Sequence, residues 1–401
     1  MTITRPAWGH SLSAALLLMA PFDVLASLAM DIYLPIVPAM LAMLSTSPLV
    51  IQLTLSLYMV MLGVGQVVFG PISDRIGRRP VLLAGAVLFA AASLGVASSS
   101  TATLFVAFRL LQAVGAAAAL VATFATVRDV YADRPEGVVI YGLFSSMLAF
   151  VPALGPVAGA LIADNFGWRA IFIVLAVLSA PAILNAAFRW HETRPEGQAA
   201  VRRSVLPIFA SLSFWTYTLA FSAAMGTFFV FFSTAPRVLV DRAGYSELRF
   251  SIAFATVAGV MIVAARFAKA FVVSWGVAGS VARGMALLLC GAVLLCLGQV
   301  FGSPSFGSFI VPMWVMAVGI VLTASVTANG ALAEFDDIAG SAVAFYFCIQ
   351  SLIVGAAGTL AVTMLNGDSA WPLIGYAAVM AVLVSIGLAL LQSRAHRFQK
   401  R

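Results

Sequence analysis

The sequence predicts an all-α membrane protein with twelve transmembrane helices in two six-helix bundles. Three observations predict this fold class: a composition poor in charge, twelve apolar runs of spanning length, and one long polar segment in the middle of the chain. Of the 401 residues, 62% are hydrophobic and only 9% are charged, whereas about a quarter of a soluble domain is charged. So few charges cannot cover a protein of this size in water, and most of its surface must therefore face lipid.

Each predicted crossing is an apolar run close to the roughly 20 residues that span a bilayer. The runs are apolar on all sides, whereas the strands of a membrane β-barrel alternate apolar and polar residues. The first run is too long for a cleavable signal and holds two aspartates. The predicted crossings are 15–36, 49–71, 80–98, 103–127, 138–162, 169–189, 213–235, 249–266, 281–300, 307–328, 340–364 and 370–391.

The polar segment 191–204 divides six runs from six. It predicts an N-terminal six-helix bundle over 1–190, a cytoplasmic linker over 191–204 and a C-terminal bundle over 205–401. Parallel halves with the substrate site between them are a recurrent transporter plan. A weak internal repeat agrees with it, because Arg266–Lys269 occupies the place in the second half that Asp74–Arg79 occupies in the first, without the acid.

The net charge of +7 reflects membrane topology. Seventeen of the 22 Lys and Arg residues fall in segments that share one side of the membrane if the N-terminus is cytoplasmic. Such a bias marks the cytoplasmic side and places both termini there. We therefore expect a lipid bilayer as partner and no nucleic acid. The three cysteines lie inside predicted crossings, and neither a metal site nor a cofactor is expected.

Three ionisable residues fall deep inside predicted crossings: Asp23 and Asp31 in the first, and Arg109 in the fourth. A charge within lipid is costly and indicates a functional site by default. Asp23, Ser27 and Asp31 are spaced four apart, so they lie along one helix face. The two acids are separated by about 12 Å along the axis.

Arg109 is expected at the depth of Asp31, because it lies only about 9–10 Å into its helix from the outer side. We therefore expect Arg109 to pair with Asp31, which leaves Asp23 without a fixed partner. Burial disfavours the charged form of a carboxyl group, so Asp23 is the predicted proton carrier or polar substrate anchor. The alternative is that the three charges form a structural network that locks helices together.

The segment Gly70–Pro80 (GPISDRIGRRP) lies between the second and third predicted crossings. Gly77 permits a tight turn, and Asp74 can cap a helix or pair with arginine. The basic residues of the segment hold it on the cytoplasmic side. The segment closely resembles the loop signature of the major facilitator superfamily, which implies the fold of that family. The residues of this conformational motif are Gly70, Asp74, Arg75, Gly77, Arg78 and Arg79.

Two further motifs resemble the same superfamily. Arg109–Gly115 (RLLQAVG) is similar to its fourth-helix pattern, and Pro152–Gly159 (PALGPVAG) to the fifth-helix signature of its antiporters. Pro152 and Pro156 remove helix hydrogen bonds and favour a bend. Gly155 and Gly159 form a face of small residues that allows close helix contact.

The first crossing narrows the resemblance. Ala26–Pro38 (ASLAMDIYLPIVP) resembles the bicyclomycin/chloramphenicol-resistance branch of drug:proton antiporters, and the similarity to its phenicol exporters extends over nearly the whole chain. The resemblance implies a monomer in the bacterial inner membrane that exchanges protons for the small-molecule drugs florfenicol and chloramphenicol. The phenicol specificity comes from this resemblance alone.

The predicted drug site combines polar groups of the first half with aromatic rings of the second. A phenicol carries an aromatic ring with amide and hydroxyl groups, which such a site would suit. The candidates are Asp23, Ser27, Asp31, Tyr33, Arg109, Gln112, Met147 and Phe228, with Gln52, Tyr58, Gln350 and the other seventh-helix aromatics as further possibilities: Phe214, Trp215, Tyr217, Phe221, Phe229, Phe231 and Phe232.

Other functions stay open at this point. A multidrug exporter of broader specificity and a proton-coupled importer would share the fold, although the fifth-helix glycine–proline signature favours export. A membrane-embedded enzyme would need a catalytic constellation, and the sequence shows neither a nucleophile–histidine pair nor a phosphate-binding loop. A receptor or scaffold without transport is the remaining alternative.

Overall fold

The chain divides into two compact units, Met1–Arg202 and Arg203–Arg401. The predicted bundle boundaries and linker stay a prediction, because most of 191–204 lies outside the described residues. The computed structural model describes residues 8, 10–131, 135–194, 204–335 and 338–399, with the backbone alone at 135, 137–139, 141–143, 145–149, 269, 339 and 394–399.

The first helix of unit 1 begins after Ser11, whose hydroxyl accepts a hydrogen bond from the backbone N–H of Ala14. It ends at Asp31, and a 3₁₀ turn with a proline in its first turn follows. Proline has no N–H to donate, so the predicted crossing 15–36 is interrupted and a further short helix continues it. The helices of unit 1 are α1 (Leu12–Asp31), α2 (Val37–Met43), α3 (Pro48–Ile76), α4 (Arg78–Ser98), α5 (Ala102–Tyr131), α6 (Pro135–Phe166) and α7 (Trp168–Arg189).

Unit 2 is also helical, with two π-helical segments, Arg237–Arg242 and Phe306–Ile310. A π turn contains one residue more than an α-helical turn, which is energetically unfavourable, and such turns are frequent at functional sites. The α-helices of unit 2 are α8 (Leu206–Ala210), α9 (Leu212–Pro236), α10 (Glu247–Phe301), α11 (Val311–Leu332), α12 (Ala339–Met364) and α13 (Trp371–Gln399).

Helix α10 contains two crossings. Its 55 residues would extend about 80 Å at 1.5 Å per residue, far beyond the ~30 Å hydrocarbon core. Gly276 breaks it with φ 68° and ψ −179°, in a region that glycine adopts without strain. The predicted crossings 249–266 and 281–300 lie on either side of this break.

The outer surface is suited to lipid. In the described part of the chain, eleven helices are long and apolar enough to cross a membrane, and Phe150–Phe166 of α6 is a shorter apolar helix. Large apolar side chains face outward, and Phe188 and Phe301 are 84% and 83% exposed. A surface of this kind would associate in water. The predicted all-α membrane fold is confirmed, and the fifth predicted crossing, 138–162, lies within α6.

Candidate functional site

Two carboxylic acids and one arginine lie buried within the predicted crossings of the described part of unit 1. Asp23 and Asp31 on α1 are 3% and 5% exposed, and Arg109 on α5 is 1% exposed. Because α1 is unbroken from Leu12 to Asp31, Asp23, the half-buried Ser27 and Asp31 lie along one face, as the spacing predicts. Burial of these groups is costly, so their surroundings decide what they can do.

Arg109 lies between two tyrosine rings. Its guanidinium carbon is 4.6 Å from the ring centre of Tyr33, which follows α1, and 4.6 Å from that of Tyr58 on α3. Its Nη1 donates hydrogen bonds to the Ala29 carbonyl at 3.0 Å and to Gln112 Oε1 at 2.5 Å. The electron-rich ring faces attract the cation, with about 2 kcal/mol for a desolvated contact.

The predicted ion pair between Arg109 and Asp31 is wrong. The ion pairs among the described residues do not include one between these side chains. The reason lies at the end of α1, where the last carbonyl groups of a helix have no partner within it. The carbonyl of Ala29 is therefore available to Arg109, and the two rings enclose the rest of the guanidinium.

Gln112 extends this network into α4. One turn after Arg109, its Nε2 donates to Ser93 Oγ at 2.7 Å, and Ser93 donates in turn to the Phe89 carbonyl at 2.7 Å. Gln112 and Ser93 are both 0% exposed. The hydrogen bond from Arg109 to Gln112 therefore orients the arginine. Gln112 does not line an open cavity in this conformation.

Asp23 has an orphan oxygen. Its Oδ2 is buried and, within the described part of the chain, makes no hydrogen bond. The expectation that Asp23 lacks a fixed partner agrees with this observation. A carboxyl group in such surroundings can hold a proton or receive a polar ligand.

Helix α6 approaches α1 closely through the predicted small residues. A Cβ atom on Gly155 would lie 3.1 Å from the Asp31 Cβ, and one on Gly159 would lie 1.6 Å from the Ile32 carbonyl oxygen. Pro152 and Pro156 lie inside α6. The contact presses the backbone of α6 against the end of α1 that carries Asp31. The side chain of Met147, also on α6, lies outside the described residues.

The segment Gly70–Pro80 is mostly helical, which corrects the prediction of a loop. It forms the last turns of α3 and the first turn of α4, and only Gly77, with φ 110°, lies between them. Arg78 is 2% exposed and pairs with Asp74 at 2.5 Å and with Asp129 of α5 at 2.8 Å. The motif therefore ties three helix ends together, and the sequence motif alone did not indicate Asp129.

A second acid missed by the sequence reasoning is Glu192, which follows α7. Its carboxylate accepts hydrogen bonds from the backbone N–H groups of Arg78 at 2.8 Å and Arg79 at 3.2 Å, and so caps the positive start of α4. A Cβ on Gly77 would lie 2.3 Å from a Glu192 oxygen. We call Asp74, Arg78, Asp129 and Glu192 the charged latch.

The other residues of the motif support the charged latch from its edges. Arg79 donates to the Ala187 carbonyl at 2.7 Å, and the Arg75 carbonyl accepts a hydrogen bond from Arg194. The Gly70 carbonyl accepts from the Ser73 hydroxyl at 2.9 Å. The predicted linker therefore begins with residues that contact the helices of unit 1.

The aromatic residues of the predicted seventh crossing, on α9, pack mainly inside unit 2. Phe231 stacks on Phe254 with ring centres 5.2 Å apart and on Phe309 at 5.8 Å. Phe228 contacts the same cluster, 6.2 Å from Phe254, but is only half-buried. They form a core instead of a continuous wall, and Phe228 lies at its edge.

Unit 2 also carries polar groups of the predicted site. Gln350 on α12 is 7% exposed; its Nε2 donates to Ser351 Oγ at 2.7 Å, whereas its Oε1 has no partner among the described residues. At the end of α9, Arg237 pairs with Asp368 at 3.2 Å. This buried arginine lies at a helix end and not in the middle of a crossing.

Comparison with known proteins agrees with this geometry. Residues 23–359 match the Major Facilitator Superfamily. The chain is 48% identical over 386 residues to a chloramphenicol resistance protein of Pseudomonas aeruginosa, covering 96% of this chain and 91% of that protein. It is 28% identical over 374 residues to the multidrug resistance protein MdtL of Shigella dysenteriae, covering 92% and 88%. The chain therefore belongs to the Major Facilitator Superfamily.

Proposed function

We propose that this chain is a proton-coupled antiporter that exports the phenicols florfenicol and chloramphenicol from the bacterial cytoplasm and so confers resistance. The observation that carries the proposal is its similarity, along almost the whole chain, to a chloramphenicol resistance protein. The activity is transport and not catalysis. The exporter works as a monomer in the inner membrane with both termini cytoplasmic, a topology supported by the bias of its basic residues.

Asp23 is the proposed proton carrier, with Asp31 and Arg109 as the other members of the coupling group. Its support is the buried Oδ2 without a hydrogen bond in the described part of unit 1, because such a carboxyl group favours the protonated form until its surroundings change. One charge that moves inward gains about 2.3 kcal/mol per 100 mV. Since ~1.4 kcal/mol is tenfold in concentration, one proton per drug drives appreciable export.

The drug-binding residues predicted from the sequence stay a proposal for each unit by itself. Ser27 is half-buried on the Asp23 face, and Phe228 presents a partly exposed ring beside a rigid aromatic cluster. An aromatic ring such as Phe228 is suited to pack against the ring of a phenicol, and a hydroxyl group such as that of Ser27 is suited to bond to its polar groups. Asp31, Tyr33, Arg109, Gln112 and Met147 stay proposed members of the site.

The test is the accumulation of chloramphenicol and florfenicol in cells that express the chain, before and after addition of a protonophore. Wild-type protein should lower accumulation, and both the protonophore and Asp23→Asn should restore it. Asp164→Asn is a matched control, because it removes a carboxylate from an exposed position near the end of α6. This control should export like the wild type.

Each outcome has a separate meaning. Accumulation that the wild type leaves unchanged would remove the phenicol assignment, and increased accumulation would indicate import. Export that survives Asp23→Asn and still collapses with the protonophore would place the proton carrier elsewhere. A parallel assay with structurally unrelated cationic dyes separates a phenicol exporter from a multidrug exporter, which the similarity to MdtL makes the second candidate.

A further inference from the structure

We propose that Tyr33 and Tyr58 are positioning residues for proton coupling: their rings hold the Arg109 cation away from Asp31, so that Asp31 can take up and release a proton. The inference rests on the proposed antiport. In this proposal the two tyrosine rings stabilise the charged form of an intramembrane arginine that has no carboxylate partner.

The rings are fixed on both sides of the guanidinium. Tyr33 is 0% and Tyr58 1% exposed. The Tyr33 hydroxyl is 2.9 Å from Thr54 Oγ1, and the Tyr58 hydroxyl donates to the Ala26 carbonyl at 2.7 Å. Because each hydroxyl is anchored at the far end of its ring, neither ring can swing away without breaking a buried hydrogen bond.

Two nitrogen atoms of Arg109 are available as donors for further hydrogen bonds. Its Nε and Nη2 are buried and, among the described residues, have no hydrogen-bond partner. A carboxylate at these donors would form charge-assisted hydrogen bonds, which are about twice as strong as neutral ones. A carboxylate is available on α1, because Asp31 lies two residues, or about 3 Å of helix rise, beyond Ala29, whose carbonyl Arg109 already contacts.

Few charged or titratable groups lie at the depth of Arg109 and Asp31 in the described part of unit 1. Helix α1 carries Asp23 and Asp31, α3 carries Tyr58 and α5 carries Arg109 at this depth. The charged residues described on α4, α6 and α7 lie in their terminal turns. Arg109 is therefore the cation whose position decides whether Asp31 ionises.

The experiment measures carbodiimide labelling of Asp31 in purified full-length protein as a function of pH, read by peptide mass spectrometry. Carbodiimides react with protonated buried carboxyl groups. In Tyr33→Leu and Tyr58→Leu the freed guanidinium should reach Asp31, and the labelling midpoint should move to more acid pH by about one pH unit or more, as for a carboxylate beside an arginine. Tyr33→Phe and Tyr58→Phe keep the ring face but lose its hydroxyl anchor, and should shift the midpoint by less than the leucine variants.

A double variant separates positioning from a general structural effect. The acid shift of Tyr58→Leu should vanish in Tyr58→Leu/Arg109→Gln, because it requires the cation. Tyr376→Leu is the matched control in unit 2: its hydroxyl donates to the Ser222 carbonyl at 2.9 Å, and no guanidinium of the described residues faces its ring. It should leave the Asp31 profile unchanged.

An unshifted Asp31 profile in both leucine variants would overturn the proposal, as would an acid shift that persists without Arg109. Should a leucine variant not fold, Tyr33→Met and Tyr58→Met fill more of the space and carry the same expectation. The labelling is measured without drug, so a wild type that exports no phenicol would refute the proposed function and leave this test intact.

Discussion

The two units share a packing device but place their charges differently. In unit 1, a Cβ on Gly115 of α5 would lie 2.6 Å from the Gly85 carbonyl of α4. In unit 2, a Cβ on Gly319 of α11 would lie 2.7 Å from the Gly284 carbonyl of α10. Backbone therefore meets backbone between α4 and α5 in unit 1 and between α10 and α11 in unit 2.

The interiors of these similar scaffolds differ in chemistry. Unit 1 buries Asp23, Asp31 and Arg109 within its helices, whereas the buried polar side chains described in unit 2 are hydroxyl groups, the amide of Gln350 and one arginine. Its buried arginine, Arg237, lies at a helix end and pairs with an acid, Asp368, that is 50% exposed. The packing device is therefore repeated in both units, whereas the residues of the proposed proton chemistry lie in unit 1.

The largest predicted effect comes from breaking the charged latch. Arg78→Gln leaves Asp129, which is 6% exposed, without its buried partner, and such a loss costs about 3–5 kcal/mol. Arg237→Gln in unit 2 leaves an acid that water can reach, and should cost about 1 kcal/mol or less. Thermal unfolding in detergent should show the difference as a larger drop in Tm for Arg78→Gln.

Arg128→Gln is the control for the charged latch, since Arg128 is 57% exposed and lies 3.6 Å from the same Asp129. It should change Tm little, because exposed ion pairs contribute about 0–1 kcal/mol. Equal losses for Arg78→Gln and Arg237→Gln would contradict the contrast between a buried and a hydrated pair.

A smaller effect is predicted for the contact between α1 and α6. Gly159→Ala places a methyl group 1.6 Å from the Ile32 carbonyl oxygen, so a backbone must move, at about 1–3 kcal/mol for overpacking. A unit of about 200 residues then loses about 2–12 °C in Tm, at roughly 2–4 °C per kcal/mol. Gly259→Ala on α10 meets no atom within 4 Å among the described residues and should keep or raise Tm; a similar loss in both variants would show that the contact is not tight.

The sequence could predict the scaffold and the charged residues within the crossings, because both depend on local composition. Apolar runs locate helices, and an acid within such a run is conspicuous. The partner of Arg109 was predicted wrongly, because depth along a helix does not tell which side chains from α3 and the end of α1 flank it. Glu192 was missed for a related reason: it lies in a polar segment, and only folding brings it to the start of α4, 114 residues away.

A comparison of two buried glutamines gives the last prediction. Gln112→Leu in unit 1 removes the side-chain acceptor of Arg109 Nη1 and should cost about 1–3 kcal/mol, the penalty of a buried donor that loses a partner. Gln350→Leu in unit 2 removes the hydrogen bond to Ser351 together with an oxygen that has no partner in the described part of that unit. Its net cost should therefore be smaller than that of Gln112→Leu. Thermal unfolding of both variants checks the contrast, with Gln112→Glu, which restores an acceptor, as the rescue. A Gln112→Leu protein as stable as the wild type would mean that the tyrosine rings and the Ala29 carbonyl suffice to hold the arginine. Equal losses of stability at both positions would mean that a buried amide contributes equally to the stability of the two units.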